Sequence, residues 1–131
     1  MKTCALNIMH RNAEAHINAI IESCRKVASL GTEIVYKNTK SGTLDMADFR
    51  FRYTRLLNPT ELIETMLEAK REGCDAIFHN CTLDAAFPEA KEVLDIPVIP
   101  IAEVSLKSLT LLGESIGVVT LHERNWVDSY G

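Results

Sequence analysis

Gly73-Cys74-Asp75-Ala76-Ile77-Phe78-His79-Asn80-Cys81-Thr82 contains a change of backbone habit on which the reading of the fold depends. A glycine of the kind that ends helices is followed by a short apolar run of strand length, and the run delivers polar residues and a thiol at its carboxyl end. Upstream, Asn58-Pro59-Thr60-Glu61 sets a capping residue, a proline at the first helical position and a glutamate at the third. That grammar predicts a helix whose apolar stripe is Leu62, Ile63, Met66 and Leu67, closing at Gly73. Downstream, a short helix is expected from near Pro88 to Leu94, then a strand at Pro97-Val98-Ile99-Pro100-Ile101. A further helix from about Ala102 carries Leu106, Leu109 and Leu112 on one face. It ends at Gly113 and feeds a fifth strand, Ile116-Gly117-Val118-Val119-Thr120.

The N-terminal third repeats the alternation. Cys4 to Met9 reads as a strand, His10-Arg11-Asn12 as a polar break, and Ile17, Ile20, Ile21, Cys24, Val27 and Ala28 as the apolar face of a helix capped by Asn12 and ended by Gly31. Ile34-Val35-Tyr36 follows as a strand. Residues 38–57, polar and then alternating through Phe49-Arg50-Phe51-Arg52-Tyr53, are expected to form a long functional loop. Strands that alternate with helices imply an α/β fold with a parallel sheet, a flavodoxin-like lobe of three layers.

The chain has 131 residues, 47% hydrophobic and 24% charged, which is the balance of one ordinary globular domain. A formal net charge of -4 gives no electrostatic footprint for nucleic acid or an anionic membrane surface, so a small molecule is the expected partner. The N-terminus, with one lysine and a short apolar run, reads as a strand and not as a signal peptide, and a cytoplasmic location is expected. Cys4, Cys24, Cys74 and Cys81 lack the close pairing of zinc or redox motifs. His10, His16, His79 and His122 are scattered, so no metal is expected.

Ligands of open parallel sheets bind beyond the carboxyl ends of the strands, where backbone N–H groups converge. Asn7, Cys81, Thr82 and Thr120 fall near such ends, and Asn80 precedes Cys81 directly. A thiol between a strand end and a helix start has neighbouring backbone donors that favour its thiolate, the form able to act as base or nucleophile. Buried, inert packing is the competing reading for Cys81 and the expected one for Cys4, Cys24 and Cys74. His79 reads as a satisfied core histidine, whereas His10 is placed to face the crevice. Arg50, Arg52 and Arg55 have the chemistry to grip a carboxylate, against the more common fate of a solvated loop.

The segment Gly73 to Thr82, then Leu94-Asp95-Ile96-Pro97-Val98-Ile99-Pro100-Ile101, then Ile116-Gly117-Val118-Val119-Thr120, resembles the aspartate/glutamate/hydantoin racemase superfamily. The resemblance implies a cofactor-independent isomerase with two facing α/β lobes and a cysteine on each side of the substrate's α-carbon. It matches Cys81 to the first-lobe cysteine, Thr82 to a neighbour that holds the carboxylate, Asn7 to an asparagine after the first strand, and Thr120 to a threonine of the second lobe. Asn80 and His10 join these as expected substrate-binding residues. Where the hydantoin racemase branch continues its asparagine as Asn-Pro-Asn-Ser/Thr, this chain has Asn7-Ile8-Met9-His10.

The resemblance also implies a second cysteine beyond residue 131. Cys74 cannot replace it: it lies seven residues before Cys81, and at about 3.3 Å per residue the two are separated by roughly 20 Å. The expectation is a truncated two-lobe architecture, with residues 1–113 as the first lobe and 114–131 as the start of the second, nearly inactive by itself and self-associating through its uncovered apolar surface. Amino acids or hydantoins are the substrates implied. The superfamily's single-cysteine decarboxylases and maleate isomerases are alternatives, as is a non-catalytic module that binds a small carboxylate.

Overall fold

The computed structural model describes residues 1–8, 14–40 and 59–119. The elements run in the order β1 (Lys2–Asn7), α1 (Glu14–Val27), β2 (Glu33–Asn38), α2 (Pro59–Arg71), β3 (Ala76–His79), α3 (Phe87–Val93), β4 (Val98–Pro100) and α4 (Ile101–Leu109). The four strands form one parallel sheet in the order β2-β1-β3-β4. The strand–helix alternation therefore has the consequence expected of it, because parallel neighbours must be joined by crossovers.

Register fixes the two faces. Cys4 sits opposite Val35 and Ile77, Leu6 opposite Lys37 and His79, and Ile77 opposite Val98, so these side chains share one face. That face carries the core: Cys4, Leu6, Ile77 and Val98 cluster with Leu62, Met66 and Ala69 of α2 and with Ala90 and Leu94 at α3. The other face presents Ala5, Tyr36, Asn7, Phe78 and Ile99. A right-handed crossover to β2, which lies on the far side of β1 from β3, puts α1 there. Its stripe Ile17, Ile20, Ile21 and Cys24 is only half-buried, and no α1 residue is fully buried. Ala5 at the sheet centre is sealed, while Ile99 on the edge strand is 39% exposed.

Helix ends follow local chemistry. Pro59 stands first in α2 as expected, and the helix closes with a Schellman pair: the Gly73 N–H donates to the Lys70 carbonyl (2.9 Å) and the Cys74 N–H to the Ala69 carbonyl (3.1 Å). Gly73 takes φ +84°, the left-handed conformation that this closure requires. The Asp75 N–H then donates to the Lys2 carbonyl (2.8 Å) while Asp75 Oδ2 accepts from the Lys2 N–H (2.7 Å), locking the start of β3 to that of β1. Lys37 donates to Glu72 (2.8 Å), tying β2 to the end of α2.

Two expectations are corrected. Of the expected fifth strand Ile116–Thr120, residues 116–119 form no strand, with Val118 and Val119 52% and 102% exposed, and Thr120 lies outside the described residues. A strand exists only through ladder bonds to a neighbour, and among the described residues this segment is paired with none. The last helix stops at Leu109, short of Gly113, and Leu112 is solvent-exposed where a packed stripe was expected. The cap residues Asn12 and Asn58 and the loop arginines lie outside the described residues.

Candidate active site

The carboxyl ends of β1, β2 and β3 meet at one edge of the sheet. Asn7, buried, closes β1 opposite Asn38, and its carbonyl accepts from the Thr39 N–H (3.3 Å). The Thr39 hydroxyl, also buried, donates to the Ile8 carbonyl (2.8 Å), so the exits of β1 and β2 are stitched together. Tyr36 hydrogen-bonds to the Asn7 side chain; burial raises its phenol's pKa, and that bond offsets part of the rise. On the other side of β1, the Asn80 N–H donates to the Leu6 carbonyl (2.7 Å), carrying the β1–β3 ladder one residue beyond the strand.

Cys81 follows at once and is half-buried, with Thr82 exposed beside it. The chain then turns: the Asp84 N–H donates to the Cys81 carbonyl (3.1 Å), and the Phe87 N–H to the Asp84 carbonyl (3.3 Å). Asp84 and Ala86 take positive φ, 44° and 59°. The helix after Cys81 therefore begins at Phe87, near the expected Pro88, with this double turn between thiol and helix. Asp84 reaches across to the next unit, its Oδ1 accepting from the Ala102 N–H (3.1 Å) and its Oδ2 from the Glu103 N–H (2.8 Å) of α4.

The other three thiols are all raised by burial. Burial pushes Cys4 up to about 12, with the neighbouring Cys74 adding to the rise. Cys74 and Cys24 are also raised by burial. Cys74 and Cys81 flank β3 at opposite ends, as the spacing predicts. Cys24 is half-buried on α1, a correction to its expected core position.

His79 departs from expectation in a different way. The residue is 1% exposed, as a core residue should be, yet neither Nδ1 nor Nε2 has a hydrogen-bond partner among the described residues. Burial lowers it to about 4, so the ring is neutral at physiological pH. The cause is packing: alternation points it to the α2 and α3 side beside Leu6 and Pro100, where its strand neighbours offer apolar surface.

The structure brings Asn7, Asn80, Cys81 and Thr82 to the same sheet edge; His10 and Thr120 lie outside the described residues. Sequence reasoning missed Tyr36, Asn38, Thr39 and Asp84. Asn38 and Thr39 were findable, since the strand-end rule that singled out Asn7 and Cys81 applies equally to β2. Among the described residues, no group of three His, Cys, Asp or Glu side chains is arranged to hold a metal ion, and no helix is long and apolar enough to cross a membrane.

The chain thus has a parallel α/β sheet with a thiol just beyond the carboxyl end of a central strand. The model of the Asp/Glu/hydantoin racemase family matches residues 8–131, and the chain belongs to that family. It is 31% identical over 123 residues to a hydantoin racemase of Pseudomonas sp. (strain NS671), an alignment that covers 89% of this chain and 48% of the relative. Its fold is similar to that of an allantoin racemase from Klebsiella pneumoniae, with a TM-score of 0.72 at 22% identity, covering 85% of this chain and 43% of that one. The chain thus spans about half the length of these proteins.

Proposed function

We propose that this chain supplies one proton-transfer face of a cofactor-independent racemase acting at the α-carbon of a 5-substituted hydantoin or a related amino acid. The observation that carries the reading is Cys81: it is half-exposed beyond β3, held in a backbone-bonded turn, while Cys4 and Cys74 are buried. Family membership and the hydantoin racemase relative add the reaction type and the substrate class.

In this mechanism the Cys81 thiolate takes the α-proton, and the electron pair of the broken C–H bond passes into the adjacent carbonyl as an enolate. Asn7, Asn80 and Thr82, with His10 and Thr120, hold the substrate's polar groups, since fixed donors stabilise charge developing on oxygen. A protonated acid on the opposite face then returns a proton, which inverts the centre; return from Cys81 regenerates the starting hand. Residues 1–113 form the first lobe and 114–131 begin a second, with the opposing acid in that second lobe. The whole protein works in the cytoplasm as a homo-oligomer without cofactor.

The test is α-deuterium incorporation from heavy water into a panel of 5-substituted hydantoins and amino acids, in this chain and in a longer protein that includes the second lobe. The long form should exchange and lose at least about a hundredfold in rate on Cys81→Ala, the scale of a lost general base. This chain alone should be nearly inactive, because one face of the α-carbon lacks its acid and water enters the site. Undiminished exchange in the long-form Cys81→Ala variant would remove Cys81 from the mechanism.

A further inference from the structure

We propose that Asp84 is the positioning residue for Cys81, acting as a clamp that fixes the thiol's loop against the following βα unit. The inference rests on the reading of Cys81 as the proton-transfer group. Asp84 is bonded in both directions: its backbone N–H holds the Cys81 carbonyl at 3.1 Å, and its two carboxylate oxygens hold the first-turn amides of Ala102 and Glu103 at 3.1 and 2.8 Å.

The loop needs such a restraint. Asp84 and Ala86 are both in the left-handed region, at φ 44° and 59°, and an alanine there costs about 1 kcal/mol relative to a right-handed conformation. Backbone strain of this kind persists where surrounding contacts over-determine it. The Phe87 N–H to Asp84 carbonyl bond closes one side of the double turn, and the packed Ala86 holds its end in the core. The side chain of Asp84 supplies the remaining tie, to an element 18 residues further along the chain.

The arrangement also commits the N-terminus of α4. Its Ala102 and Glu103 amides are taken up by a carboxylate of the protein itself, so the partial positive charge there serves the loop and not an incoming anion. Removing the carboxylate frees the turn to relax and lets the Cys81 backbone leave the position that the Asp84 N–H and the tie to α4 give it.

The experiment is timed iodoacetamide labelling of the folded chain at pH 7 with peptide mapping, using Cys24 as an internal reference and circular dichroism to check folding. Cys81 should react faster than Cys24 in the wild type, and Asp84→Ala should slow Cys81 about tenfold, one pH unit's worth of thiolate, with Cys24 unchanged. Loss of a negative charge alone would favour the thiolate, so the expected slowing has the opposite sign to a simple charge effect. Asp84→Asn, which keeps one acceptor for the Glu103 amide, should recover to within about threefold of wild type. If Asp84→Ala does not fold, Asp84→Ser against Asp84→Asn gives the same ordering, with serine the slower. A lower thermal midpoint with an unchanged Cys81 rate would reduce Asp84 to structural support and overturn the proposal, as would an asparagine variant no better than alanine or serine. Exchange measurements on Cys81→Ala test the catalytic reading separately.

Discussion

Replacing His79 with leucine should make the protein more stable and remove much of its sensitivity to acid. The wild-type ring is buried with both nitrogens unpartnered among the described residues, and its pKa falls from 6.5 to about 4 by desolvation. The unfolded chain takes up a proton below about pH 6.5, whereas the folded one resists until about 4. Between those values the unfolded state binds more protons, so stability declines as pH falls through that window and is unaffected by this group above it. A difference of roughly 2.5 pH units at about 1.4 kcal/mol each makes the full loss about 3.5 kcal/mol, a large part of a small domain's stability. At neutral pH the neutral ring still lacks partners, a cost of about 1–3 kcal/mol that a leucine of similar size does not incur. Urea unfolding of both proteins at pH 7.5 and 4.5 separates the two effects. Glu68, Asp95 and Glu103, whose pKa values their lysine partners lower, add an acid dependence common to both proteins, which the comparison cancels. A leucine variant that is less stable at pH 7.5, or that loses as much stability on acidification as wild type, would refute the reasoning.

Gly73→Ala should lose about 1 kcal/mol in the same unfolding assay, because φ +84° is left-handed while nothing lies within 4 Å of the added Cβ; an unchanged midpoint would mean that the Schellman closure is dispensable. Leu62→Ala empties a fully buried core position against β1 and β3 and should cost 2–5 kcal/mol or roughly so, read as a fall in urea midpoint with little change in slope. Ile99, Val104, Leu109, Leu111, Leu112 and Val118 leave apolar surface around β4 and the chain beyond it. Sedimentation across a concentration series should therefore show self-association, and a strictly monomeric chain would contradict it.

By itself the sequence determined the alternation of elements and the strand end that bears Cys81. Pro59 and Gly73 carry their meaning in their own backbone limits, and a short apolar run between turn signals is a strand wherever it packs. The thiol's place at a strand exit followed, because local order along the chain is enough to say which residue leaves a strand first. Only the tertiary structure decided the rest. Residues 116–119 have strand composition, but strand formation is a property of a pair, and among the described residues they are paired with no neighbour. Whether His79 is satisfied depends on what other elements bring to its nitrogens, and alternation alone could only say that it is buried. The clamp from Asp84 to Ala102 and Glu103 joins two consecutive βα units. Nothing in the spacing of those residues announces it, because the contact exists only once β4 lies beside β3 and brings the start of α4 up to the loop that follows Cys81.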